Sequence, residues 1–204
     1  MSTRGTYYIE KNLCYNHHDN YPVGAAFHIV DVIKATGGTS FFDFIRGMKT
    51  LSPATSIYDG PAEFHYKIEN GHIECFSIPW DEDKLVLVSK GPIEDWVNNE
   101  IKNNWDRLAE PSDNINDYLL VKIDNTFITK TQAYEKGVKN FREQVKWLES
   151  GSIGNADFQR AFKYLKVSGR LYEEFKNTYL EIYSPYLAKR YKHENTELFD
   201  SYAL

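Results

Sequence analysis

The run Phe64–Ile78, FHYKIENGHIECFSI, leaves this chain fewer options than any other part of it. Asn70-Gly71 lies between two stretches of β-favouring residues, and a two-residue type I′ turn needs φ above zero at both positions, which Asn and Gly accept with least strain. A loop of that length fixes register, so Ile68 is expected to face Ile73, Lys67 to face Glu74 and Tyr66 to face Cys75. The pairs agree in chemistry, apolar with apolar and cation with anion. KLVLVS, residues 84 to 89, reads as a third strand of the same sheet, and DYLLVKI, 117 to 123, as a further strand with its turn at Asp124-Asn125.

Upstream, RGTYYIEKNLCYNH reads as a short hairpin turning at Lys11-Asn12. Pro22 suits the first position of a helix, where its missing N–H is no loss. Val23, Phe27 and Val30 follow at helical spacing, and Gly37-Gly38 should end the helix. Thr39 or Ser40 is placed to cap a second helix carrying Phe41, Phe42, Ile45 and Met48, with Asp43 near its positive end. Gly91-Pro92 opens a third, whose apolar stripe is Ile93, Trp96, Val97, Ile101, Trp105 and Leu108.

From residue 129 the period becomes helical and stays so. Thr129 and Gln132 have capping-box spacing, and Tyr134, Val138, Phe141, Val145 and Leu148 recur at intervals of 4, 3, 4 and 3. Phe158, Phe162, Leu165, Gly169 and Tyr172 repeat the pattern after SGSIGN, so the two helices should fold back as an antiparallel hairpin. Ser184-Pro185 starts a last helix. The expected architecture is therefore α+β: a mainly antiparallel sheet of five or six strands with three packed helices over residues 1–128, then a helical hairpin and terminal helix over 129–204, packed on the first region.

Charge is unevenly shared. Residues 1 to 100 carry 8 Lys+Arg against 14 Asp+Glu, a balance of −6, whereas residues 130 to 192 carry 13 against 7, a balance of +6. Such a split could dock the halves on each other or offer a basic surface to an acidic partner. No apolar run approaches the roughly 20 residues that span a bilayer, and MSTRGTYYIEKN lacks the layout of a secretion signal, so no membrane association and a cytosolic setting are expected. The two cysteines, Cys14 and Cys75, form no CxxC pair and read as small core side chains. Gly-rich phosphate loops, GxSxG and HExxH are all missing from the sequence, which argues against the commoner NTPase, hydrolase and metalloprotease classes.

The best site candidate is HHDNYP, residues 17 to 22. On an extended chain His17 and His18 point to opposite faces, and a metal would need further ligands from His28, His65 or His72, so no metal site is expected. Cys14 and His18, four extended residues apart, are separated by roughly 13 Å, too far for a nucleophile–base pair. What remains is His18 and Asp19 as general acid–base groups, assisted by His17 and Tyr21, beside a helix start whose small residues Gly24 and Ala25 could leave backbone N–H groups open to an anion. The plainer reading is a tight strand-to-helix junction in which Asp19 or Asn20 satisfies the first helical N–H groups and small residues serve close packing. On the helical half, Lys163, Lys166 and Arg170 cluster on one helix face and Lys189, Arg190 and Lys192 form a second group, a solvated surface or a nucleic-acid interface.

The stretch RGTYYIEKNLCYNHHDNYPVGAA resembles a loosely defined group of small bacteriophage and mobile-element proteins that carry a strand, then His-x-Asp-Gly-Tyr-Pro, then a Gly-containing helix start. His17-His18-Asp19-Asn20-Tyr21-Pro22 and Gly24 occupy those places, with Asn20 standing where the group has Gly, and Asn tolerates the same positive φ. The resemblance implies a phage or plasmid setting, where small non-enzymatic inhibitors of host systems are frequent, and no particular activity. The first expectation is accordingly an accessory protein of the bacterial cytosol that binds a host protein or ribonucleoprotein complex, such as a defence-system inhibitor, without catalysis and without a cofactor. A small hydrolase or transferase using His18 and Asp19, and a nucleic-acid binder using the basic helix faces, are the competing expectations.

Overall fold

A computed structural model describes residues 3–58, 62–79, 84–149 and 158–169, and Arg170, Lys189, Arg190, Lys192 and the expected terminal helix lie outside them. Strands β1 (Gly5–Ile9) and β2 (Asn12–Asn16) form the first hairpin, followed by α1 (Pro22–Thr36), α2 (Phe41–Gly47) and the short β3 (Ser52–Pro53). Then come β4 (Phe64–Glu69), β5 (His72–Ser77), β6 (Val86–Pro92), α3 (Ile93–Leu108), β7 (Leu120–Ile123), β8 (Thr126–Thr129), α4 (Lys130–Glu149) and α5 (Phe158–Ser168). The chain is thus α+β. It divides into two compact units, 1–129 and 130–204.

The first unit is built on a six-stranded sheet of order β3-β2-β1-β4-β5-β6. The Asn70-Gly71 hairpin has the expected register, Ile68 with Ile73, Lys67 with Glu74 and Tyr66 with Cys75, and φ of 51° and 75° at its turn. The first hairpin turns one residue earlier than the sequence predicts. Glu10 and Lys11 hold the positive φ values, 47° and 70°, while Asn12 starts β2 and its side-chain amide donates to the Glu10 carbonyl at 2.9 Å. Two features escape local pattern altogether: β1 pairs with β4 in parallel, and β7 and β8 form a separate two-stranded sheet. Thr129 accordingly ends a strand immediately before α4.

Alternation along the strands sends Tyr7 and Ile9, Tyr66 and Ile68, and Ile73 and Cys75 to one face, where they form the core with Ile29, Val30 and Ile33 of α1 and Trp96, Val97 and Ile101 of α3. Each large side chain removed from water there contributes about 1.5–3 kcal/mol before entropy is counted. Gly37 ends α1 in the left-handed conformation at φ 78°, and Ser40 and Asp43 close a reciprocal capping box on α2. The stripe on α3 is buried as read at Ile93, Trp96, Val97 and Ile101, but it surfaces toward the end of the helix, where Trp105 is half-buried and Leu108, expected on the same stripe, is exposed.

In the second unit α4 and α5 pack on each other. Phe141 meets Phe162 with ring centroids 6.2 Å apart, and a Cβ on Gly137 would lie 2.6 Å from Leu165, so contacts run in opposite chain directions. The buried seam of α4 passes through Ala133, Gly137 and Phe141, one position off the Tyr134–Val138 line that periodicity picks out. Small residues at 133 and 137 let the helices approach, so Tyr134 and Val138 mark the flank of the seam, while Phe141 of the same periodicity lies within it.

Candidate functional site

The junction between β2 and α1 is organised by Asn20, which is fully buried. Its amide nitrogen donates to the carbonyls of Thr3, Asn16 and His18 at 3.0, 3.1 and 2.9 Å, and its Oδ1 accepts from the Tyr7 hydroxyl at 2.9 Å and from Asn16 Nδ2 at 3.1 Å. The main chain is held as well: Asn20 N–H donates to the Thr3 carbonyl, and the Tyr66 hydroxyl donates to the Asn20 carbonyl. Tyr7 and Tyr66 stack at 5.0 Å, and burial drives both phenols well above their ordinary range, so both remain donors. Asn20 is therefore a buried hub that ties two strand ends to a helix start.

This corrects two readings of the motif. The positive φ belongs to Asp19, at 45°, and not to Asn20. Nor does an Asp19 or Asn20 side chain cap α1: its N-cap is Tyr21, which makes no side-chain cap bond, and Pro22 follows at the first helical position. Gly24 is small because a Cβ there would lie 2.1 Å from the Asp19 carbonyl oxygen, and Ala25 is fully buried. Asp19 bends back over the first turn, and the helix start closes against it.

Strand β2 stops at Asn16, so the histidines leave the sheet. His17 packs edge-on against Tyr15 at 4.6 Å, and its ring centroid lies 6.4 Å from that of His18. Both are exposed. The His18 carbonyl, rather than its ring, is the better-placed group, because it also meets His28 Nε2 at 3.0 Å. His65, bonded to Thr6 Oγ1 at 2.9 Å, and His72, against the Asn70 carbonyl, are engaged elsewhere. Among the described residues, no group of three His, Cys, Asp or Glu side chains could hold a metal ion. Lys163 and Lys166 are exposed on α5.

Asp19 and Tyr21 do contribute to a concavity. Together with one face of α1, one face of α3 and the segment after α3, they line a groove of about 730 Å³. Its wall is aromatic: Tyr118 meets Phe27 edge-on at 5.2 Å and Trp105 at 5.6 Å, and all three remain partly exposed. Its charge is carried by Asp19, Asp31, Glu100 and Asp113 against the single guanidinium of Arg107, which donates to Asn104 Oδ1 at 3.0 Å. Burial raises the Glu100 carboxyl above its usual range, and the Tyr118 phenol is raised first by burial and then by Asp113, Asp117 and Asp31.

Local reading of the motif passes over most of these groups, although a signal for them exists. Gly24, Phe27, His28 and Asp31 recur at helical spacing on α1, as do Glu100, Asn104, Arg107 and Leu108 on α3, and each set shares a helix face. Only the fold shows that the two faces meet. Comparison with family models, with curated proteins and with solved structures finds no match to this chain.

Proposed function

We propose that this protein acts by binding, with the α1–α3 groove as its docking site, and that it serves a phage or mobile element by modulating a host protein or ribonucleoprotein complex in the bacterial cytosol. The observation that carries the binding reading is the groove itself. A concavity of about 730 Å³, with an aromatic wall and a few polar groups on its rim, lies within the range of ligand-binding sites. The phage setting rests on the His17–Gly24 resemblance alone. The hub at Asn20 serves this reading by holding Asp19 and Tyr21 at the rim on rigid elements.

Affinity capture from bacterial lysate with the wild-type chain and a Trp105→Ala/Tyr118→Ala variant tests it. A partner retained by the wild type and lost by the folded variant is the expected result, and equal capture by both would remove the groove from the function. Asp19 and Tyr21 line the same groove, which keeps a small hydrolase or transferase as the second reading. That reading requires turnover or ligand stabilisation that His18→Ala and Asp19→Ala abolish. If Lys163 and Lys166 carry nucleic acid instead, charge reversal there should remove a binding that weakens steeply with salt.

A further inference from the structure

The groove is chemically selective, and its lining describes what it would take. Four carboxylates line the groove against one guanidinium, with the Lys34 ammonium beside its Tyr118 wall, so the balance stays negative and favours cations over phosphate and carboxylate ligands. Glu100 is half-buried on the wall formed by α3, where partial removal from water strengthens its attraction for a positive group that enters. Beside it the rings of Phe27 and Trp105, both packed on Tyr118, offer faces and edges of the kind that hold a cation and its alkyl stem. The molecule already uses this chemistry on itself, since Lys34 Nζ lies 4.3 Å over the centre of the Tyr118 ring.

We propose that the groove receives an arginine or lysine side chain presented by a partner protein, its charge meeting Glu100 and Asp31 and its stem lying against Trp105 and Phe27. The proposal rests on the binding reading and names the chemistry of what is bound. An open groove along two helix faces suits an extended basic segment, and Arg107 at its end is placed to meet that segment's own carboxylates or carbonyls.

The test is a titration of the full-length, ¹⁵N-labelled protein with a short end-capped arginine–leucine peptide, with its citrulline twin, which is neutral and nearly isosteric, and with free spermidine. The arginine peptide is expected to shift the Trp105 indole N–H and the amides of Gly24–Asp31 and Glu100–Arg107. The citrulline twin should bind about tenfold or more weakly, and Glu100→Gln with Asp31→Asn should bring the arginine peptide down to the same level, as loss of charge-assisted contacts predicts. These substitutions keep side-chain shape, and the citrulline arm needs no variant at all. Equal binding of the two peptides in the groove would overturn the cation assignment while leaving the binding reading standing. Spermidine binding as tightly as the peptide would overturn the protein-partner assignment. Shifts confined to other surfaces would overturn the proposal outright, whereas the binding reading itself fails only if lysate capture ignores the groove variant.

Discussion

At the scale of single residues, Asn20 bears more of the structure than any neighbour in the HHDNYP motif. Replacing it by Ala or by Gly takes the Asn20 acceptor from the buried Tyr7 hydroxyl and from the Asn16 amide, and a donor from three carbonyls, of which Thr3 keeps the residue-20 N–H and His18 keeps Asn16 Nδ2 and His28 Nε2, so the lost bonds should destabilise the protein by about 2–3 kcal/mol. Chemical denaturation of the two variants checks this, and the Gly variant is the sharper of them. If residue 20 were only a turn position, Gly would be tolerated or even preferred there. His65 supplies a second expectation. Burial, and after it the charge of Lys67, lower its folded-state pKa to about 4, while in the unfolded chain it titrates near 6.5. Between those values the unfolded state binds the extra proton, so the contribution of neutral His65 is complete above about pH 6.5 and is lost as pH falls toward 4. The stability advantage of wild type over His65→Asn, followed by denaturation at a series of pH values, should shrink across that window.

At the scale of elements, the approach of a strand end to a helix decides the geometry of the rim. The Asp19 carbonyl sits over the first turn of α1, and backbone cannot yield as a flexible side chain can. Gly24→Ala should therefore destabilise by about 2 kcal/mol in a denaturant titration, against the usual gain in helix propensity. A neutral or stabilising result would mean that the chain does not close over the helix start. Elements also show why the motif was only partly legible. Pro22 at the first helical position, Gly37 at the end of α1 and the Ser40 cap of α2 are local signals with local causes, and each appears where spacing places it. The first hairpin turn misses by one residue because Glu10 and Lys11 carry no turn signature, and their positive φ is imposed by the pairing of Ile9 with Asn12.

For the whole molecule, stability should be graded outward from the centre of the sheet. Strands β1, β4 and β5 supply the buried Tyr7, Tyr66, Ile68 and Ile73, so their amides should exchange with solvent most slowly, while β3 and the β7–β8 hairpin should open first. Hydrogen exchange followed by mass spectrometry checks the order, and uniform protection across unit 1–129 would contradict it. Within this unit the groove depends on α1 and α3 lying side by side over the same core, which links the packing to the candidate function. Among the described residues no helix is long and apolar enough to cross a membrane.

The amino-acid sequence by itself determines what short-range physics can decide. The Asn70-Gly71 turn and its register, the start and end of α1, the buried stripe of α3 and the helical character beyond residue 129 all follow from φ preferences, capping groups and periodicity. Tertiary structure alone decides the parallel pairing of β1 with β4, the burial of Asn20 beneath Tyr7 and Tyr66, and the meeting of Phe27 and Asp31 with Glu100 and Trp105. Apart from Tyr7 and Asn20, which are 13 positions apart, those outcomes join residues 46 to 78 positions apart, and no local preference encodes them. They arise when separate elements bury their apolar faces against a common core, and the groove is the polar and aromatic margin left where two of those elements meet.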